Sequence, residues 1–171
     1  MATTTPLNGW PVPTSTDYVK DGAVAIEALG DAIDTSVGSG LLAWQTWAPT
    51  LSSGWANGNG VWSAKYAQIG KTVHVAGFFT LGTTTTKGSV MTISYPVTAK
   101  TTGQQTNGNV YAILGATTFP LIMLNSSTGN CQIGTSVANA TYTTFNVVTS
   151  TTPATWATGD IIYFGLTYEA A

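Results

Sequence analysis

Two loops of the sequence carry the side-chain types that bind sugars: Trp55, Asn57 and Asn59 in the first, and Gln104, Asn107 and Tyr111 in the second. Sugar rings stack their C–H faces on aromatic side chains and exchange hydrogen bonds with amides. Both groups occur in each loop, so we expect these six residues to contact a carbohydrate. Each loop is also compatible with a turn whose ring lies in the core, or with a contact between subunits.

Few residues of the sequence have side chains that could support catalysis. His74 is the single histidine, and its place in a strand, facing away from Val73 and Val75, favours a structural or half-exposed role over a Ser/His dyad. A glycosidase needs two carboxyl groups about 5–10 Å apart. Asp160 and Glu169 are separated by roughly 30 Å of strand and fall on opposite faces. We predict that the protein is not an enzyme and has no catalytic residues, no metal site and no cofactor.

The residues from 41 to 171 have the pattern of an antiparallel β-domain, which would position these loops. A tight turn at 69–71 joins two strands, and Val73, Val75 and Phe79 share one face of the second. Short apolar runs then alternate with turn-forming clusters, which is typical of a sandwich or barrel. Further strands are expected at 89–95, 110–114, 121–124, 131–134, 142–148 and 161–168, and the last is predicted to be a central strand because it is apolar on both faces. We predict a mainly β head at 41–171, an antiparallel β-sandwich with a jelly-roll-like arrangement.

One helix is predicted at 17–37, followed by a joint at 38–40. Its apolar residues recur at spacings of three and four, with Gly30 taking one place, and we call them the heptad seam: Val19, Ala23, Ile26, Ile33 and Val37. This pattern is compatible with a trimeric bundle. A lone helix of this length with internal glycines is marginal in water, which favours self-association. An amphipathic helix packed on its own domain is the alternative.

Residues 1–16 contain three prolines, a glycine and no charged side chain. Proline fixes φ and disfavours helix before it, so this segment is predicted to be an extended arm. An isolated arm has no core of its own in which to bury Trp10. We therefore expect Trp10, Pro11 and Pro13 to form an attachment site on a neighbouring protein; a disordered tail is the alternative.

The composition is that of a β-rich, weakly charged protein. Charged residues make up 7% of the chain, against about 25% in a typical domain, and none is arginine. Nucleic-acid binding depends on basic side chains at phosphates and is not expected. No run of about 18 apolar residues occurs, so membrane insertion is not expected either. Cys131 is alone and is predicted to be a buried apolar side chain.

Two segments of the chain resemble a family of phage proteins. The segment 16–29 resembles the helical start of minor tail or tail-fibre proteins of phages that infect actinobacteria. The opening of a β-domain at the ends of such fibres resembles the run Trp47-Ala-Pro49-Thr-Leu51, followed by Gly60, Tyr66, Ile69-Gly70-Lys71-Thr-Val73 and Gly77. The resemblance covers residues 10–82, whereas residues 83–171 match only in composition.

The resemblance implies a homotrimeric virion protein, assembled in the host cytoplasm, with an N-terminal region that joins other virion proteins and a C-terminal β-head. The six loop residues are then predicted to bind a host-surface receptor, with a glycan as the candidate. No long fibre shaft is present, which leaves room for a short spike. A trimeric capsid or tail decoration protein is the alternative, and an enzyme that degrades cell-wall polysaccharide is a third interpretation.

Overall fold

The computed structural model describes residues 3–6, 9–14, 18, 21–40, 43–100, 107–127, 129–138 and 141–171, with the backbone alone for residues 3, 38–40 and 107. Within these residues the protein is mainly β, with one helix and a curled antiparallel sheet. The chain divides into two compact units, Met1–Ala43 and Trp44–Ala171, which we call the N-terminal unit and the head.

The described elements follow one another in this order. The N-terminal unit contains β1 (Thr3–Thr4), β2 (Pro11–Val12) and the helix α1 (Gly22–Gly40). The head contains β3 (Gln45–Thr46), β4 (Leu51–Ser52), β5 (Val61–Ile69), β6 (Thr72–Thr80), β7 (Thr92–Ser94), β8 (Asn107–Leu114), β9 (Thr117–Asn125), β10 (Asn130–Ala138), β11 (Thr143–Val147) and β12 (Ile161–Glu169).

The segment predicted to be an extended arm folds back on itself, because β1 and β2 pair as an antiparallel hairpin. Gly9 has a φ of 66°, which glycine adopts without strain, and its amide donates to the carbonyl of Thr5 at 3.0 Å. The amide of Trp10 donates to Thr5 Oγ1, also at 3.0 Å. Pro11 is tolerated in so short a sheet, where both strands are edges. The prolines of this segment therefore did not prevent its two strands from pairing, and the predicted extended arm is corrected to a hairpin.

The helix α1 ends at Gly40, so the residues assigned to a flexible joint continue the helix. Its half-buried residues fall on one face: Gly22, Ala25, Leu29 and Ala32. The hairpin strand β2 contacts this helix, and the indole Nε1 of Trp10 donates to Ser36 Oγ at 3.0 Å. The described residues of the heptad seam lie next to this half-buried face and are exposed.

All ten strands of the head belong to one curled sheet in the order β3-β5-β6-β12-β8-β9-β10-β7-β4, with β11 also paired to β10. The strand β9 carries the chain around the curl, since residues 117–121 pair with β8 and residues 122–125 pair with β10. Pro120 lies just before this change of partner. A proline is accepted there because β9 pairs on one side only at that point.

The core lies on the inner face of the curl. Burial alternates along the whole of β12, with Ile162, Phe164 and Leu166 inside, because successive side chains of a strand point to opposite faces. Phe79 on β6 is fully buried, and the ring of Trp62 on β5 lies 4.3 Å from it between centroids. Val73 is buried on the same face as Phe79, which confirms the alternation predicted for β6.

Two further features of the sheet were expected from the sequence: the turn between β5 and β6, and the central position of β12. Ile69 pairs with Thr72, so Gly70 and Lys71 form the two-residue turn between β5 and β6, and Gly70 has a φ of 56°. A positive φ at the first turn position matches the twist of a hairpin. The strand β12 lies between β6 and β8, which confirms that it is central.

A short segment joins the two ends of the strand order. The strand β3 pairs with β5 at one end and β4 pairs with β7 at the other, with residues 47–50 between them. The amide of Trp47 donates to the carbonyl of Ala64, and the amide of Ser94 donates to the carbonyl of Thr50, both at 3.0 Å. Pro49 in this segment is buried. The chain therefore spans the gap between the outermost strands.

Candidate functional site

The first predicted sugar-binding loop directs its tryptophan into the core. Trp55 is 3% exposed, and its ring meets Trp156 edge-on with the centroids 5.7 Å apart. A sugar stacks on an exposed ring face, so Trp55 provides no stacking surface. The expectation for Trp55 is corrected: a loop of small residues allows the ring to turn inward, where burial of its large apolar area stabilises the fold.

The asparagines of this loop bond to the loop's own surroundings. Asn57 accepts a hydrogen bond from the amide of Leu51 and donates one to the carbonyl of Pro49, each at 3.0 Å. Asn59 is exposed, and its Oδ1 accepts from the amide of Thr84 at 2.8 Å. The amide groups that suggested ligand binding therefore hold neighbouring segments together.

The second predicted loop lies partly outside the described residues. Gln104 is not described, and Asn107 is described by its backbone alone, as the first residue of β8. Tyr111 is 40% exposed on the outer face of the sheet, where its ring stacks on Tyr163 with the centroids 4.9 Å apart and the planes at 14°. Of the two predicted rings, Tyr111 is the one at the surface.

Tyr111 belongs to a line of residues that crosses the outer face of the head. Strand pairing aligns Phe78 of β6 with Tyr163 of β12, Tyr163 with Tyr111 of β8, and Tyr111 with Pro120 of β9. The rings of Phe78 and Tyr163 are 5.5 Å apart. We call these four residues the aromatic row. Such cross-strand pairs stabilise a sheet and also leave apolar ring surface available to a partner.

Trp44 adds a further exposed ring to the head. The place of Trp44 and Trp47 in the sequence, just after the joint at 38–40, predicts that both pack the base of the head. Trp44 is instead 50% exposed, and Lys65 Nζ lies 4.8 Å from its ring centroid. This is the geometry of a cation–π contact. Trp47, for which the same expectation was made, is half-buried and meets Phe164 edge-on with the centroids 6.2 Å apart. The two tryptophans therefore have different roles.

His74 lies beside Trp44 at a cavity on the outer face. The cavity has a volume of about 560 Å³, and its lining includes Trp44, His74, Asn109 and Thr167. His74 is half-buried, as the sequence predicted, and its Nδ1 is 3.0 Å from Thr167 Oγ1. This hydrogen bond fixes the imidazole ring within the lining. The site thus combines an exposed indole with groups that form hydrogen bonds.

The carboxyl groups of Asp160 and Glu169 have separate partners near the two ends of β12. Asp160 is 5% exposed and accepts from the amides of Gly115 at 2.9 Å and Ala157 at 2.6 Å. Glu169 forms an ion pair with Lys100 at 2.8 Å. Each carboxylate therefore makes local contacts.

The heptad seam of the N-terminal unit is exposed to solvent. Ile26 is 64% exposed, Ile33 is 36% exposed and Val37 is 50% exposed, and Ala23 is also exposed. Val19 lies outside the described residues. An exposed apolar stripe of this kind is a candidate interaction surface.

The three residues of the predicted attachment site are half-buried in the N-terminal unit. They are Trp10, Pro11 and Pro13. The indole of Trp10 donates to Ser36 Oγ, which in turn donates to the carbonyl of Ala32 at 2.8 Å. Trp10 therefore has a partner within its own chain, and this contact joins the hairpin to the helix.

Burial makes two protons of the core difficult to remove. Cys131 is 1% exposed, as predicted, and burial raises the pKa of its thiol to about 12. Burial also raises the pKa of Tyr168 to about 12, and its hydroxyl donates to the carbonyl of Val97 at 2.7 Å. Neither group is ionised near neutral pH, so neither serves as a nucleophile there.

Several outer-face residues were missed by the sequence analysis. Phe78, Tyr163 and Thr167 were not among the predicted site residues, because they come from distant strands that only the pairing register aligns. One available signal was the run 161–168, whose apolar and aromatic residues fall on both faces of a strand. The outer side of a central strand that also carries rings is a candidate contact surface.

The described residues contain no group of three or more His, Cys, Asp and Glu side chains placed to hold a metal ion. No helix in the described part of the chain combines the length and apolar character that a membrane span needs. Comparisons of the chain with protein-family models, curated proteins and solved structures found no match.

Proposed function

We propose that this protein is a trimeric phage virion protein whose head attaches to the host surface, as a tail-fibre or spike tip. The observation that carries the proposal is the exposed heptad seam, in a unit separate from a head that has its own core. A helix with Ile26 and Ile33 in water is stabilised when sister copies cover them. The resemblance of residues 10–82 to tail-fibre proteins supports the same function.

In this proposal the head is a jelly-roll-like sandwich and the N-terminal hairpin joins other virion proteins. Three heads on one bundle present three copies of the same surface, and multivalency raises avidity without a tight single site. Exposed rings such as Trp44 and Tyr111 supply the contact surface.

The trimer is tested by multi-angle light scattering on the full chain. The wild type is expected to have the mass of three chains, and the double variant Ile26→Asp/Ile33→Asp that of one chain, because buried unpaired carboxylates oppose packing. Val24→Asp is the matched control, since Val24 is 67% exposed on the same helix but lies off the seam. A monomeric wild type, or a control that dissociates as readily, contradicts the trimer.

Attachment is tested with the fluorescently labelled full chain on actinobacterial cells. Labelling by the wild type is expected to exceed that by the double variant by about a hundredfold or more, because avidity is lost with the trimer. Unlabelled protein is also expected to block phage infection. An intact trimer that neither labels cells nor blocks infection would oppose the attachment function and favour the decoration alternative.

A further inference from the structure

A trough crosses the outer face of the head between the aromatic row and a row of polar side chains. Strand pairing across β5, β6, β12 and β8 aligns the residues of its floor: Lys65, Ala76, Gly165 and Asn109. His74 and Thr167 lie on the polar side, two residues along their strands from the floor. Rows on one face are about 7 Å apart, so the two walls stand about 13 Å apart, and the floor is about 14 Å long.

Two cavities mark the open space of the trough. The cavity of about 560 Å³ lies over Gly165 and is bordered by Trp44 and His74. A second cavity of about 340 Å³ lies over Ala76 and is bordered by Lys65 and Phe78, among others. Ala76 and Gly165 are direct partners in the sheet, so the cavities adjoin along the floor. The trough is therefore long enough for an extended chain rather than for a single compact molecule.

Gly165 keeps the trough open without serving the fold. A Cβ built on Gly165 would have as its nearest neighbour the carbonyl oxygen of Val75, 3.8 Å away, which is ordinary contact. By contrast, a Cβ on Gly77 would lie 2.7 Å from the carbonyl oxygen of Ser63, so packing requires that glycine. Gly165 is also outside the set of described glycines with positive φ. Glycine weakens the interior of a strand, and close approach by a ligand or by another backbone is one reason for a glycine at such a position.

We propose that this trough binds a linear, neutral glycan whose sugar rings follow the floor from Lys65 to Asn109. This deepens the proposed host attachment and rests on it. A sugar ring has an apolar C–H face and a polar hydroxyl rim. The aromatic row on one side and the exposed indole of Trp44 supply apolar surface, and His74 and Thr167 supply hydrogen bonds from the polar side.

The charges around the trough favour a neutral chain over an acidic or basic one. Lys65 stands at one end, with its ammonium over the ring of Trp44. Glu169, further along the outer face, is paired with Lys100. The described residues that line the two cavities include no carboxylate and no line of cations. A phosphate-rich or uronate polymer needs several cations, because each anionic group requires its own partner.

The test uses the full chain and four neutral tetrasaccharides, built from glucose, galactose, mannose or N-acetylglucosamine, with saturation-transfer NMR as the readout. The wild type is expected to transfer saturation to at least one of them. Gly165→Val is expected to weaken that binding about tenfold or more, because the valine side chain fills the floor. Its unfolding temperature is expected to be unchanged or higher, since valine favours strands and the space above Gly165 is open.

Thr118→Val is the matched control, because Thr118 is exposed on β9 beyond the aromatic row and its change also introduces valine. It is expected to bind like the wild type. If Gly165→Val does not fold, Gly165→Ala makes the same comparison with one methyl group. Absence of saturation transfer with all four tetrasaccharides, or equal binding by the folded Gly165 variant, overturns the proposal.

Two outcomes separate this inference from the proposed attachment function. If the wild type labels cells and the Gly165 variant labels them equally well, attachment stands and the trough is not its site. If light scattering shows that the Gly165 variant changes the oligomeric mass, the trough is a contact between copies of the chain, and the glycan proposal is overturned. The NMR readout needs no cells, so a failed attachment experiment does not decide it.

Discussion

Isoleucine side chains are buried in the head but exposed in the N-terminal unit. In the head, Ile133 and Ile162 are fully buried. In the N-terminal unit, Ile26 and Ile33 are 64% and 36% exposed. Burial of an isoleucine stabilises a fold by about 1.5–3 kcal/mol, so Ile133 and Ile162 contribute this free energy to the head, whereas Ile26 and Ile33 contribute less of it to the N-terminal unit. This difference is what the proposed trimer would explain.

The largest expected effect compares two isoleucine-to-alanine changes. Ile133→Ala is expected to lower the free energy of unfolding of the head by about 2–5 kcal/mol, because it leaves a cavity in a packed core. Ile26→Ala is expected to change the same transition by less than about 0.5 kcal/mol. Urea unfolding followed by tryptophan fluorescence measures both. Equal losses of unfolding free energy in the two variants would show that Ile26 contributes to the stability of the head as much as Ile133 does.

A second prediction concerns a buried polar contact of the head. Asp160→Ala is expected to cost about 2–4 kcal/mol, since the buried carboxylate is replaced and the amides of Gly115 and Ala157 lose their acceptor. Asp160→Asn keeps one acceptor oxygen and is expected to cost less. The same urea experiment checks both variants, and an unchanged midpoint for Asp160→Ala would mean that these turns do not depend on the carboxylate.

Alkaline pH is expected to destabilise the head, because its buried Cys131 and Tyr168 then tend to lose their protons. Folding raises the pKa values of Cys131 and Tyr168 from 9.0 and 10.0 to about 12. The stability that comes from keeping them protonated is complete below pH 9 and is lost as pH rises from there to about 12. Calorimetry across this range should show a falling melting temperature, with a shallower slope for Cys131→Val. If the melting temperatures of the wild type and Cys131→Val fell with the same slope, the Cys131 thiol would not be a cause of the loss.

The smallest expected effect tests the contact that joins the hairpin to α1. Ser36→Ala removes the acceptor of the Trp10 indole at an exposed site, so the loss is expected to be about 1 kcal/mol or less. Faster amide exchange in the N-terminal unit is the readout, and the urea midpoint of the head should not move. Trp10→Phe removes the donor and should give a similar increase. A shift in the head's midpoint would show that the units are coupled.

Features set by neighbouring residues could be predicted from the sequence. The Gly70-Lys71 turn follows from a glycine between two alternating runs, and the burial of Cys131 follows from its place in an apolar strand. The central position of β12 follows from a run that is apolar on both faces. Each of these depends on only a few residues of chain.

Features set by long-range pairing could not be predicted. The trough exists because Ala76, Gly165 and Asn109 fall in one line, and a slip of one residue in any strand would remove it. The environment of Trp55 depends on Trp156, which is about a hundred positions away. A tryptophan in a glycine-rich loop has the same local sequence whether its ring turns inward or outward, so its burial was not predictable.

The outermost strands of the strand order, β3 and β4, are each two residues long. A sheet ordinarily aggregates when a foreign strand pairs with a long row of free N–H and C=O groups, and such short ends offer little template. This matters for a chain with 7% charged residues, which has weak electrostatic repulsion to keep copies apart. Among the described strands, the open side of β11 and the part of β5 that β3 does not pair remain available, and a lysine substitution on the open side of β11 should improve solubility at high concentration.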